Sequence, residues 1–190
     1  MGFALILAVS VLFAGTPESQ ARYQHATGHG TLGQFYEVLN TSGNIWMVKS
    51  SYEISGESCI YFKVQSHNTA QEYRIVKRYT DENKTPKTTT LRATIKMDTK
   101  NTLGSEIVVQ RADGQGTENK YLLYHWQKDE HCGILSSTNV PGNECTMLVW
   151  DQDISSERPK CENEYASCTT YITSSPYNVY TGDCKATEGC

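Results

Sequence analysis

The sequence predicts an all-β protein in which eight antiparallel strands close into an up-and-down barrel, with a short N-terminal helix and a C-terminal helix packed outside. Two observations support this fold. Eight short segments rich in β-branched and aromatic residues follow one another with turn residues between them, a series typical of sandwiches and barrels. Six of the seven cysteines fall within the last 59 residues, where disulfides can cross-link the barrel.

The predicted strands are short and evenly spaced, and a helix signal stands on either side of them. The clearest strand is 88–97, where apolar residues alternate with Thr, Arg and Lys. Apolar residues at helical spacing predict a helix over 34–39, and Pro159 stands near the first turn of a second helix that includes 161–168. An eight-stranded meander closes into a barrel with room for one small ligand. The strands are expected at 45–52, 58–64, 72–79, 88–97, 104–110, 119–127, 133–137 and 145–150.

The N-terminal segment is predicted to be a signal peptide. Its apolar run is too short to span a bilayer and is followed by small residues up to Ala21, so cleavage is expected to remove residues 1–21. The polar, glycine-containing segment 22–33 is expected to be a flexible terminus. Residues 34–190 then form a single domain, large enough for its own core.

Composition narrows the possible functions. The net charge of −4, with no basic patch, argues against nucleic acid as a partner, and no second apolar stretch is long enough for a membrane span. His25 and His29 lie in a glycine-rich segment and are expected to be solvated, so no metal site is predicted. The sequence shows no Ser/His/Asp arrangement or phosphate loop, which predicts a protein that is not an enzyme and needs no cofactor. Seven cysteines and the sequons at Asn40 and Asn83 favour a secreted glycoprotein.

Several short motifs give the chain a family resemblance over about residues 34–184. The strand WMVKSSY ends at Tyr52, and later cysteines stand in the motifs CTML, PKC, YASC and GDC. On these motifs and their order, the chain resembles the tick salivary lipocalins, the group that includes the histamine-binding proteins. The resemblance implies a lipocalin barrel secreted into saliva. The motif cysteines are Cys145, Cys161, Cys168 and Cys184.

The resemblance also implies a disulfide pattern, which spacing alone leaves open among fifteen connectivities. Cys190 would remain unpaired, giving a monomer, or would link two molecules into a dimer. The implied bridges are Cys59–Cys184, Cys132–Cys161 and Cys145–Cys168.

The family function implied is the capture of a small host inflammatory mediator, which suppresses host defence without turnover. Histamine-binding relatives carry acids next to the cysteines of the seventh and eighth strands, to pair the charge of a buried amine. Here Gly133 stands at the first of these positions and Thr146 or Met147 at the second. The family therefore suggests a biogenic amine, whereas the residues favour a lipid mediator such as an eicosanoid, a fatty acid or a sterol.

The predicted ligand-binding residues are those expected on the inner faces of the strands. Tyr52 matches a ligand-site tyrosine of the family, and period-two alternation places Trp46 on its face. Arg92 is the candidate counter-ion for an acidic lipid, although the apolar alternation of its strand indicates an outward side chain, and both positions stay open. The other wall residues are Ile107, Val109, Leu122, Tyr124 and Trp126.

A second hypothesis places the function on the outside of the barrel. In this case the protein modulates immunity by binding a host protein or cell, and any lipid inside is only carried. Emptying the barrel separates the two hypotheses, because it abolishes activity in the first and leaves it intact in the second.

Overall fold

The computed structural model describes residues 30–97, 104–138, 144–170, 172 and 175–189. The predicted signal peptide, His25, His29 and Cys190 lie outside the described residues, and with them the question of a disulfide dimer. Two α-helices, α1 (Leu32–Leu39) and α2 (Pro159–Cys168), flank the strands. The strands are β1 (Ile45–Ser50), β2 (Glu57–His67), β3 (Glu72–Asp81), β4 (Pro86–Met97), β5 (Ser105–Arg111), β6 (Asn119–Gln127), β7 (Cys132–Ser137), β8 (Cys145–Trp150) and β9 (Tyr177–Asn178).

The strands form a closed antiparallel barrel. β2 to β8 pair in sequence order, β8 pairs with β1, and β1 closes the circle by pairing with β2. The predicted eight-stranded barrel with one helix before it and one after it is therefore confirmed. The predicted strand bounds hold to within three residues at each end, and β9, which adds to β1, was not predicted.

β4 shows how alternation sorts the inside of the barrel from the outside. Leu91, Ala93 and Ile95 are buried in the hydrophobic core inside the barrel (the inner core), while Arg92 is exposed. The register of β4 with both of its neighbours runs without a shift, so no bulge turns Arg92 inward. The outward interpretation of Arg92 is confirmed, and its role as a counter-ion inside the barrel is corrected.

Two register shifts change which residues face inward. The register of β1 with β8 shifts between Met47 and Lys49. Met47 and Tyr52 therefore both face inward, although they are five residues apart and strict alternation would put them on opposite faces. β6 shifts between Leu123 and His125 in the same way. Because one extra residue inverts the alternation beyond it, period two cannot be continued across either point. The predicted faces of β1 and β6 are therefore wrong on one side of each shift.

The C-terminal tail fills a gap between β1 and β2. These two strands pair directly only near Ile45, and β1 pairs with β9 instead towards its end. Val179 lies between them: its N–H donates to the carbonyl of Val48 at 3.0 Å, and its carbonyl accepts from the N–H of Cys59 at 3.0 Å. Its side chain is 6% exposed and packs in the inner core. The tail is therefore part of the barrel wall.

α1 closes one end of the barrel and begins two residues earlier than predicted. Thr31 caps it with a capping box, in which its hydroxyl accepts from the N–H of Gln34 and the Gln34 side chain accepts from the N–H of Thr31. Gly30 donates to the carbonyl of Leu123 at 2.8 Å and accepts from the N–H of Ser105 at 3.2 Å. Residues 30 and 31 thus hydrogen-bond to the domain, although they fall in the segment expected to be flexible.

α2 packs on the outer surface of β6, β7 and β8. Its buried side consists of Cys161, Tyr165 and Cys168, one turn apart. All three implied bridges are present: Cys132–Cys161 and Cys145–Cys168 attach α2 to β7 and β8, and Cys59–Cys184 attaches the tail to β2. Among the described residues, no helix is long and apolar enough to cross a membrane.

Candidate functional site

The interior of the barrel holds a cavity of about 440 Å³. Phe35, Val38 and Leu39 of α1 cover one end, while loops at the opposite end leave it accessible. Small-molecule sites typically have volumes of about 300–1,000 Å³ and are mostly apolar. The cavity has the size of a site for one small ligand.

The closed end is fixed by two indole donors. Trp126 Nε1 donates to Oε2 of Glu37 at 2.9 Å, and Trp150 Nε1 donates to the carbonyl of Val38 at 3.0 Å. The hydrogen bond from Trp126, followed by the charge of Lys128, lowers the pKa of Glu37 and keeps its carboxylate ionised. These bonds hold α1 across the end of the barrel as a rigid cover.

Apolar side chains from seven of the eight barrel strands form most of the cavity wall, and β6 contributes Asn119 and Tyr121. Ile107 and Val109, both predicted as wall residues, are among these side chains. Alternation brings them inward because β5 has no register shift with β4. The remaining apolar wall residues on the strands are Ile45, Met47, Ile60, Phe62, Ile75, Leu91, Leu135 and Leu148.

Three residues with side-chain hydroxyl groups interrupt this apolar surface. Tyr52, Tyr121 and Thr146 all line the cavity, and the hydroxyl groups of Tyr121 and Thr146 both lower the pKa of Tyr52. Burial raises the pKa of both tyrosines, the charge of Glu144 adds to the effect, and hydrogen bonding from Thr146 only partly opposes it for Tyr52. Both phenols are therefore neutral at physiological pH and offer hydroxyl groups to a polar ligand atom.

The turn between β5 and β6 borders the open end. Gln115, Gly116 and Thr117 line the cavity, and Gly116 adopts a φ of 89°, which favours glycine. Arg111 also lines the cavity, but two of its nitrogens are bound to Asp113 of the same turn, with Nη2 2.8 Å from Oδ2. This pair raises the pKa of Arg111 and lowers that of Asp113.

Charge in the lining is positive only. Of the described residues that line the cavity, Lys77 and Arg111 are charged and none is an Asp or a Glu. Lys77 is 22% exposed, forms an ion pair with Glu57, and places Nζ 4.9 Å from the ring centroid of Tyr79. The cavity is thus an apolar space with hydroxyl groups and cations on its wall.

Three of the predicted ligand-binding residues line this cavity: Tyr52, Ile107 and Val109. Their binding role stays a prediction. Trp46 does not line it: its side chain is on the outer face of the barrel wall and is fully buried there. There it packs against Tyr61 and Tyr180, and Nε1 donates to Oδ1 of Asp151 at 2.7 Å.

The predicted wall on β6 is also corrected. Tyr121 lines the cavity and Leu123 packs in the inner core, so alternation turns Leu122 outward. Tyr124 packs on the outer cluster beneath α2. Trp126 returns to the inner core beyond the shift, but it lies at the closed end and does not line the cavity.

Several lining residues are not evident from the sequence. Tyr121 falls on the outer face when period two is continued along β6 without its shift. Lys77 lies two residues from Ile75 and two from Tyr79 along β3, so all three share one face. This spacing alone could have indicated that Lys77 faces inward. Thr146 is one of the two residues, with Met147, at which the resemblance implies an acid, and its own hydroxyl contributes to the polar part of the lining.

One carboxylate lies next to two buried sulfurs, in an arrangement that resembles a metal site. Glu130, Cys132 and Cys161 bring their ligand atoms within 4.8 Å of one another. The two sulfurs form a disulfide, so neither is a thiolate ligand. Glu130 instead accepts hydrogen bonds from the N–H groups of Lys160 and Cys161 at the start of α2.

The sequence model of the family described as tick histamine binding protein matches residues 23–186. The chain belongs to this family. A search of curated proteins found no significant match. The membership agrees with the three bridges and with the helix outside the barrel.

Three solved structures are similar to this chain at low sequence identity. Japanin from Rhipicephalus appendiculatus bound to cholesterol has a TM-score of 0.50 and 12% identity, covering 74% of this chain and 93% of Japanin. Lobster apocrustacyanin A1 has a TM-score of 0.48 and 9% identity, covering 74% and 77%. Apocrustacyanin C1 has a TM-score of 0.49 and 8% identity, covering 82% and 88%. At 12% identity, the likeness to Japanin shows the lipocalin fold and nothing about a ligand.

Proposed function

We propose that this chain is a secreted salivary protein that sequesters an amphipathic lipid mediator of host inflammation inside its barrel. The observation that supports this most is the lining of the cavity, which is apolar over most of its surface and, in the part of the chain that the structure describes, contains no carboxylate. A lipid tail matches the apolar walls, and a polar head matches the hydroxyl groups.

Burial of the tail supplies the affinity. Each buried methylene group contributes about 0.8 kcal/mol, so a tail of roughly twelve methylenes contributes about 10 kcal/mol before the cost of immobilisation. A scavenger must bind near the working concentration of its mediator, which for nanomolar binding requires about 12 kcal/mol. Burial of the tail is therefore of the same order as the free energy required, and the polar anchors offset part of the cost of immobilisation.

A biogenic amine, the ligand class in the family name, fits this lining less well. A buried ammonium group needs a carboxylate partner, because burying a charge without one costs several kcal/mol. Lys77 and Arg111 would repel it, and Gly133 replaces an acid of the histamine-binding relatives. The cholesterol in Japanin supports the idea that a related barrel accepts a lipid.

Binding measurements on the secreted protein test the proposal. Native mass spectrometry after expression in a eukaryotic secretory host identifies any co-purified lipid and counts free thiols. Calorimetry with arachidonic acid, cholesterol and histamine then gives three affinities on delipidated protein. We expect at least one lipid to bind more tightly than histamine and to be recovered unchanged. Tight histamine binding with no lipid binding refutes the proposal.

A filled cavity provides the control. Val109→Trp places a large side chain in the lining, whereas Arg92→Trp adds the same group to the neighbouring strand on the outer surface. We expect lipid binding to be lost only in the first variant. If the first variant still suppresses a host response, the function lies on the outer surface instead.

A further inference from the structure

The cavity contains one ammonium group that is partly shielded from solvent. β3 has no register shift with β4, so Ile75, Lys77 and Tyr79 all face inward. The side chain of Lys77 is 22% exposed, and its Nζ stands 4.9 Å from the centroid of the Tyr79 ring. The ring face stabilises the cation at this position.

The hydrogen bonds of Lys77 leave donors for a ligand. An ammonium group has three donors, and the ion pair with Glu57 uses one of them. Among the described residues, no second acceptor contacts its Nζ. Glu57 does not line the cavity, so a ligand in the cavity meets the cation rather than the carboxylate.

The other cation of the lining is engaged elsewhere. The side chain of Arg111 is 52% exposed, and its Nε and Nη2 are both bound to Asp113 of the same turn. Solvent and the carboxylate of Asp113 therefore screen the charge of Arg111. Lys77 is the better anchor, because its side chain is 22% exposed and that of Arg111 is 52% exposed.

We propose that Lys77 recognises the carboxylate of an acidic lipid, in competition with its ion-pair partner Glu57. The inference rests on the proposed lipid binding and narrows its ligand class to long-chain carboxylic acids. Lys77 shares its donors between Glu57 and the ligand, so Glu57 competes with the ligand for the same cation. The counter-ion role that the sequence suggests for Arg92 thus belongs to a residue of the neighbouring strand.

The competition predicts opposite effects for the two partners. Lys77→Met keeps the length of the side chain and removes the charge, so the affinity for arachidonic acid falls at least about tenfold, the equivalent of about 1.4 kcal/mol and one charge-assisted hydrogen bond. The affinity for arachidonyl alcohol, which has the same tail and no charge, stays within about twofold. Glu57→Gln removes the competitor and raises the affinity for the acid about threefold or more.

Lys49→Met is the matched control. Lys49 also forms an ion pair, with Glu162 of α2, but it lies on the outer surface. Lys49→Met removes a positive charge and an ion pair without changing the cavity. The ratio of the affinities for acid and alcohol is therefore expected to equal that of the unmodified protein. Melting temperatures of all three variants show whether each is folded.

The outcomes separate this inference from the proposed function. If Lys77→Met binds the acid and the alcohol with the original preference, the anchor is wrong, while lipid binding stands. The anchor is also wrong if Glu57→Gln weakens acid binding as Lys77→Met does. If the ion pair were purely structural, both substitutions would change the affinity for the acid in the same direction. If the unmodified protein binds neither the acid nor the alcohol nor cholesterol, both proposals fail.

Discussion

Removing the bridge between the tail and β2 is expected to destabilise the protein strongly. The change is the double substitution Cys59→Ala/Cys184→Ala, made together with Cys190→Ala so that no thiol remains outside the other bridges. The two cysteines are 125 residues apart, but the Cys132–Cys161 bridge spans 29 of these. The shortest covalent path between them is therefore 96 residues (125 minus 29). On the chain-entropy relation, closing such a loop contributes about 4.7 kcal/mol.

The assay is urea unfolding followed by tryptophan fluorescence, with Cys190→Ala alone as the reference. We expect the free energy of unfolding to fall by about 4–5 kcal/mol and the m-value to rise, because the unfolded chain exposes more surface without the cross-link. A loss below about 2 kcal/mol with an unchanged m-value refutes the entropic reasoning.

Hydrogen exchange reports the effect on the folded state separately. The N–H groups of Val179 and Cys59 are bonded across the gap between β1 and β2. We expect both to exchange faster in the double variant, since the tail then depends on β9 alone, whereas the buried Ile95 amide in β4 keeps its relative protection. Protection of Val179 equal to that in the reference would show that packing in the inner core holds the tail without the bridge.

Three further predictions concern packing and pH. A Cβ on Gly133 would lie 3.6 Å from Cε3 of Trp126, an ordinary contact distance. In urea unfolding, Gly133→Ala is therefore expected to change the free energy of unfolding by under about 1 kcal/mol, whereas Gly133→Asp lowers it by about 2–3 kcal/mol because it buries a charge. Equal free energies of unfolding for the two variants contradict this. A Cβ on Gly30 would lie 2.5 Å from Cγ of Leu123, so Gly30→Ala is expected to cost about 1–3 kcal/mol and to couple with Leu123→Ala in a double-mutant cycle. Because burial raises the pKa of Tyr121, the unfolded state ionises first above about pH 10, and stability falls by about 1.4 kcal/mol per pH unit; Tyr121→Phe is expected to show a shallower decline.

The strands could be predicted because their signals are local. In β4 the alternation of apolar and polar residues predicts that Leu91 and Ile95 face the core, and both are buried there. The bridges could be predicted only through the family, because pairings over 23 to 125 residues leave no trace in local composition. β9 was missed for a related reason: its two residues form a strand only because β1 and β2 separate beside them.

The inner faces of β1 and β6 could not be predicted, because a single extra residue inverts everything beyond it. Trp46 and Tyr52 are six residues apart, and strict alternation puts them on one face. The shift between Met47 and Lys49 puts them on opposite faces. Such shifts depend on contacts with neighbouring strands and with α2, where Lys49 pairs with Glu162, so they are tertiary properties.

The resemblance to histamine-binding relatives implies acids at two places, which are occupied in this chain by Gly133 and by Thr146 or Met147. Gly133 faces Trp126 and Val38 at the closed end, so a carboxylate there would be enclosed by apolar groups that hold α1 across the barrel. Thr146 offers a neutral hydroxyl that lowers the pKa of Tyr52, and an acid at this position would instead add a second charge near Glu144. Both positions are neutral in this chain. The charge of the lining lies on β3 and at the end of β5 and is positive, and this supports the proposed amphipathic lipid over a cation.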